Sequence, residues 1–315
     1  MLPWTQPVLD SLKGRLDRLP HALLLHGPRG VGKLELAERI AQLLLCEAQE
    51  AARRPCGACD GCRWFLGGNH PDFRRIEPEA MARQGEGAEE EGDAPAKKGR
   101  PSTQIKVEQV RGLADFLNLR SHRGGLRVAL VHPAEDMNPN TSNALLKGLE
   151  EPPAGAIFVL VSHRPARLLP TIRSRCVAVP IPIPPREAAL QWLAGQGVKD
   201  AERWLSYAGG APLRAAEYAA DSVALERLLQ SPGPVDDRDQ LERFTDALQK
   251  IALDRAFLAF GLPPKYRTGS ARPHPAAARA WLAYARRLGQ DRLLAGHPVN
   301  GRLFSSEILG SMPKS

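Results

Sequence analysis

The chain has 315 residues, and its 43 Lys and Arg against 35 Asp and Glu give a formal net charge of +8. Hydrophobic residues make up 43% of it, enough to build packed cores in two or three domains, which excludes wholesale disorder. No run of about eighteen apolar residues occurs, so a helical membrane span is excluded, and Met1–Gln6 lacks the basic-then-apolar order of a secretory leader.

These features predict a soluble, cytoplasmic, multidomain protein. The basic excess permits a nucleic-acid partner without indicating one, because +8 over this length is common.

In chain order, Ala22–His26 is apolar nearly throughout and ends at a glycine, which predicts a buried strand. Residues 33–46 carry Leu36, Ile40, Leu43 and Leu44 at helical spacing. Residues 78–104 interrupt the pattern with a Gly/Glu-rich, then basic, stretch that has little to bury, and are expected to be a flexible surface loop. A helix is expected over 107–119, a strand over Arg127–Val131, a helix over 141–150, and strands over 156–161 and 176–181. Strands separated by helices predict βαβ units and a parallel sheet.

Pro180-Ile181-Pro182-Ile183-Pro184-Pro185 cannot be helical and reads as a linker. Short helices are expected at 186–196, 200–207, 212–220 and 223–229. After a second break at Ser231-Pro232-Gly233-Pro234, helices are expected at 241–260 and 276–288. The domain reading is thus 1–179 for an α/β domain, 180–230 for a small helical domain and 231–315 for a helical tail.

Between the first strand and the first helix lies Gly27-Pro28-Arg29-Gly30-Val31-Gly32-Lys33, which matches the G-x-x-x-x-G-K phosphate loop. Gly27, Gly30 and Gly32 let backbone N–H groups turn towards a phosphate, and Lys33 adds charge at a helix N-terminus. A hydrolysing loop carries Ser or Thr next, whose hydroxyl binds Mg²⁺; here stands Leu34. At the end of the 127–131 strand, where acidic residues should hold metal and polarise water, stand His132 and Pro133, with Glu135 and Asp136 in the next turn. Both losses argue against hydrolysis, while binding of ATP or ADP through the loop amides and Lys33 stays open.

Cys46, Cys56, Cys59 and Cys62 place four thiols within seventeen residues. Gly57, Asp60 and Gly61 lie in the tight turns that let sulfurs converge. Four cysteines favour a structural tetrahedral Zn²⁺. A redox pair, a disulfide and an iron–sulfur cluster are the alternatives. His26, His132 and His163 fall near strand ends without ligand spacing and read as core or solvated histidines.

Asn143-Ala144-Leu145-Leu146-Lys147-Gly148-Leu149-Glu150-Glu151-Pro152-Pro153 and, further on, Ser174-Arg175-Cys176 complete the pattern. With the degenerate phosphate loop and the thiol cluster, these residues make the chain resemble the clamp-loader branch of the AAA+ ATPases, as found in bacterial DNA polymerase III. The resemblance covers about residues 20–220. It implies an AAA+ P-loop domain with a zinc insert at 46–62, then a small helical lid domain and an all-helical collar.

It also implies a place in a five-membered ring with gamma/tau and delta subunits, and contact with a sliding clamp and with primer-template DNA irrespective of sequence. Arg175 would serve as a trans arginine finger for a neighbour's ATP. Ser162 would occupy the first sensor position and Arg214, in Gly209-Gly210-Ala211-Pro212-Leu213-Arg214, the second. Without the resemblance, Arg175 reads as a surface ion-pair partner. Two other functions compete: an active ATPase of the gamma/tau type, and a zinc-dependent DNA-binding protein.

Overall fold

The computed structural model describes residues 1–85, 101–119, 125–269, 271–294 and 299–313. These divide into two compact units, Met1–Ile183 and Pro184–Ser315. The first runs α1 (Gln6–Lys13), β1 (Ala22–His26), α2 (Lys33–Leu45), α3 (Asp60–Leu66), β2 (Phe73–Ile76), α4 (Glu79–Gly85), α5 (Val107–Asn118), β3 (Arg127–Val131), α6 (Pro139–Glu150), β4 (Ala156–Ser162), α7 (Pro170–Arg175) and β5 (Val177–Pro180).

The five strands form one parallel sheet in the order β2-β3-β4-β1-β5. β3 and β4 are buried at every residue, the condition under which a parallel strand reads as an unbroken apolar run. Leu24, Ala129, Phe158 and Leu160 of the sheet share one core cluster with Leu113 of α5, Leu145 of α6 and Ile172 of α7. Leu23, Leu25, Val128 and Leu130 alternate with these and are buried too, so the sheet is covered on both faces.

The sequence reading missed β2. Its segment Phe73-Arg74-Arg75-Ile76 carries two exposed arginines between its apolar ends, because it is an outer strand paired only to β3. Arg75 is held by Glu38 at 3.0 Å and Glu77 at 2.7 Å, and the Arg74 guanidinium lies 4.9 Å from the centre of the Phe116 ring.

The loop reading of 78–104 needs a correction at its start. Residues 79–85 form α4, and the Ser102 N–H donates to Glu79 Oε2 at 3.3 Å. Residues 86–100 lie outside the described residues.

The second unit is helical among the described residues: α8 (Arg186–Gly195), α9 (Ala201–Tyr207), α10 (Pro212–Ala220), α11 (Ser222–Gln230), α12 (Arg238–Ala259), α13 (Ala278–Leu294) and α14 (Gly301–Gly310). Leu193, Trp204, Tyr207, Ala215 and Leu225 form one cluster, and Phe244, Leu248, Ile251, Trp281 and Leu288 another.

A buried ionic group accompanies them. Asp246 meets Lys250 at 2.8 Å and Arg292 at 2.8 Å, and the Lys250 ammonium lies 4.0 Å from the centre of the Tyr207 ring. Burial pulls the Lys250 ammonium down to about 8 against the opposing Asp246 charge. Burial raises the Asp246 carboxyl, but Lys250 and Arg292 outweigh it and hold the group below the usual range. No helix among the described residues is long and apolar enough to cross a membrane.

Candidate nucleotide loop, thiol centre and finger arginine

The loop between β1 and α2 has the backbone of a phosphate cradle. Gly27 has φ +152°, and a Cβ there would stand 2.1 Å from Ile181 O. Gly30 and Gly32 have φ +80° and +89°, values that side chains beyond glycine resist. Lys33 opens α2 and is 2% exposed. Its Nζ donates to Gly27 O at 2.9 Å and Pro28 O at 2.5 Å. Burial lowers the ammonium to about 8, with the Glu135 charge pushing the other way. The lysine therefore satisfies itself on the carbonyls of its own loop.

Leu34 follows with no oxygen to offer a metal. At the tip of β3, His132 is buried and its Nε2 lies 3.3 Å from Nε2 of His163. Burial pushes His132 down to about 4, aided by the charges of Arg75 and Lys33, and His163 down to about 3, aided by Lys33. Neither Nδ1 finds a hydrogen-bond partner among the described residues.

Glu135 sits in the short turn Ala134–Asp136, and its Oε1 accepts from the His163 N–H at 2.9 Å. Burial and the Glu135 charge raise Asp136 to about 6. The histidine pair escaped sequence reasoning because its members lie 31 residues apart. The only available signal was that both follow strands that come to lie side by side.

Of the other expected positions, Ser162 ends β4 in register with His26 of β1, one residue before the cradle. Its buried Oγ accepts from the Arg164 N–H at 3.2 Å. Arg214, on α10 of the second unit, is tied into the ionic group. Its Nη2 bonds the Tyr218 hydroxyl and lies 3.9 Å from Asp246 Oδ2.

Arg175 ends α7 beside a shallow depression lined by His21, Leu149, Glu150 and Ser174. Its Nη1 donates to Thr171 O at 2.9 Å and its Nη2 meets Glu150 Oε1 at 2.6 Å.

The four predicted thiols converge, with all sulfurs within 4.8 Å of one another. Cys46 and Cys59 are 3.9 Å apart, Cys56 and Cys62 4.0 Å. An ion with four bonds of about 2.3 Å requires tetrahedral edges of about 3.8 Å, so the donor set can hold one metal ion.

Backbone N–H groups point at the sulfurs: Cys56 N–H at Cys46, Cys59 N–H at Cys56, Cys62 N–H at Cys59, each at 3.4 Å. Those from Ala58 and Cys59 pull the Cys56 thiol down to about 6. Burial pushes Cys46 up and Cys62 up to about 12. Gly61 is required here because a Cβ would lie 2.5 Å from Leu45 O.

A parallel β2-β3-β4-β1-β5 sheet, a phosphate cradle after β1 and a helical second unit define the class: a P-loop domain of the AAA+ type with a four-cysteine insert. The model of the family described as "DNA polymerase III, delta subunit" matches residues 8–184, and the chain belongs to that family.

The protein named DNA polymerase III subunit delta' of Pseudomonas aeruginosa is 41% identical over 71% of this chain and 63% of its own length. The one of Yersinia pestis is 37% identical over 72% and 61%. The matches thus span less than two thirds of each relative. A crystal structure of a DNA polymerase III gamma-subunit-related protein from Thermotoga maritima covers 96% of this chain and 97% of its own, at 18% identity and a TM-score of 0.53, and shares the fold.

Proposed function

We propose that this chain is a non-hydrolysing subunit of a bacterial clamp loader, acting in the cytoplasm to help place a sliding clamp on primed DNA. The observation that carries the reading is the combination at the cradle. The phosphate-loop backbone is intact, but Leu34 and His132-Pro133 stand where Mg²⁺ needs a hydroxyl and carboxylates. ATP or ADP bound through Gly27, Gly30, Gly32 and Lys33, with Ser162 as a sensor, would be held without the metal that activates it.

The chemistry this chain contributes is then directed outward. In a ring with gamma/tau and delta subunits, Arg175 would reach a neighbour's ATP, where a guanidinium offers fixed donors to phosphate oxygens. DNA would be held through its phosphates, irrespective of sequence. The four-cysteine insert is read as a closed structural zinc site, with no open position for catalysis.

The zinc-dependent DNA-reader alternative lacks support, since the helix beside the thiols, α3, has seven residues and carries a single arginine. The test is hydrolysis measured on the purified chain and on the reconstituted loader. The chain alone should show no Mg²⁺-dependent turnover, and Arg175→Ala should lower the DNA-stimulated rate of the loader at least about tenfold, since trans arginines contribute about 10³–10⁵ in favourable cases. Brisk turnover by the isolated chain would reinstate the active-ATPase alternative.

A further inference from the structure

We propose that Glu150 is a holster for Arg175: it keeps the guanidinium on its own subunit and restrains hydrolysis at the neighbouring site until the assembly is correctly engaged. The proposal rests on the finger reading of Arg175 given above and adds a residue that restrains it.

Both terminal nitrogens of Arg175 are occupied within its own chain, Nη1 by Thr171 O and Nη2 by the Glu150 carboxylate at 2.6 Å. Each partner takes one of the five N–H donors a guanidinium offers, and the carboxylate's charge competes with a phosphate for the cation. The acid is also placed against local preference. Glu150 is the last residue of α6, where the helix dipole disfavours negative charge and favours Lys, Arg or His.

The fold fixes this position firmly. Leu149, its neighbour, is 1% exposed and its carbonyl accepts from His21 Nε2 at 3.1 Å. Gly148 lies so close to Phe158 that a Cβ would stand 3.1 Å from Cζ, and Pro152-Pro153 stop the helix from continuing. The backbone that carries Glu150 is therefore fixed, and only its side chain reaches out to Arg175.

The pair is half-exposed, so its hold is modest, and a polyphosphate with several negative charges displaces a single carboxylate. A restraint of this size suits a gate. It slows hydrolysis when the neighbour is loosely seated and yields when the phosphates are brought close.

The experiment uses the full chain in the reconstituted loader. ATPase is measured with and without primed DNA for wild type, Glu150→Gln, Arg175→Ala and the double variant. Glu150→Gln should raise the DNA-independent rate about two- to fivefold, as expected for loss of an exposed ion pair, and leave the stimulated rate unchanged. The rise should vanish in the Arg175→Ala background, which a merely structural role for Glu150 would not produce.

A DNA-independent rate in Glu150→Gln equal to or below wild type, with Arg175→Ala still depressing the stimulated rate, overturns the holster and leaves the finger standing. An Arg175→Ala loader as active as wild type overturns the finger itself. A melting curve of Glu150→Gln matching wild type keeps any change assigned to the charge.

Discussion

The nucleotide cradle and the thiol insert begin within twenty residues of each other, and they contrast in completeness. The insert has its full donor set, four sulfurs with tetrahedral spacing. The cradle has its backbone but lacks its metal handles. What the cradle retains has a packing role. Gly27 admits the Ile181 carbonyl, Gly30 and Gly32 take left-handed backbone, and Lys33 closes the loop through two carbonyls. What it lacks, a hydroxyl at position 34 and carboxylates at 132 and 133, would serve only chemistry. On the proposed function, this phosphate loop is kept for its packing, whereas the four sulfurs are spaced for one ion.

Removing the metal should produce the largest effect. Chelation, or Cys59→Ser, should take on the order of 3 kcal/mol or more from the first unit, because binding of a structural ion is coupled to folding. Calorimetry with metal quantification reads this directly, and an equally stable stripped sample would equate the insert with an ordinary loop.

Gly27→Ala comes next. The new methyl would collide with Ile181 O, so denaturant unfolding should show a loss of about 2–3 kcal/mol whether or not nucleotide is present. A substitution that harmed nucleotide affinity alone would restore a ligand-only role for the glycine.

The smallest effect concerns the paired histidines that follow β3 and β4. His132 and His163 are held at about 4 and about 3 when folded, against about 6.5 unfolded. Their contribution is intact above pH 6.5 and is lost as pH falls towards the folded values, because the unfolded chain binds the protons first. Asp136, raised to about 6, acts in the opposite sense in that window, so the informative quantity is the difference between wild type and His132→Asn. The variant should lose up to about 1.4 kcal/mol less per pH unit between pH 6.5 and 4.5. Parallel pH profiles would show that the pair is not buried in the neutral form.

The contrast also explains what could be read from the sequence. The thiol cluster was legible because its four ligands are neighbours in the chain, and their spacing dictates their meeting. β1, β3 and β4 were legible because burial on both faces writes an uninterrupted run, as in Phe158-Val159-Leu160-Val161, and β5 because its residues are apolar although it is a largely exposed edge strand. β2 was not, since Arg75 and Arg74 answer to Glu38 and Phe116, residues brought beside them only by the fold. The His132–His163 contact was hidden because strand order decides it. Arg175 was legible as a surface ion-pair partner, but not the carboxylate at the end of α6 that it meets. The bonds from Lys33 to the carbonyls of its own loop depend on a rotamer that no motif encodes.

The margins of the sheet have one further consequence. β2 and β5 are only four residues long; the first exposes a pair of guanidinium groups, and the second terminates on Pro180. Short, charged or proline-terminated borders give a stray polypeptide little backbone to zip onto. Both borders thus carry features that oppose strand-by-strand accretion into fibrils.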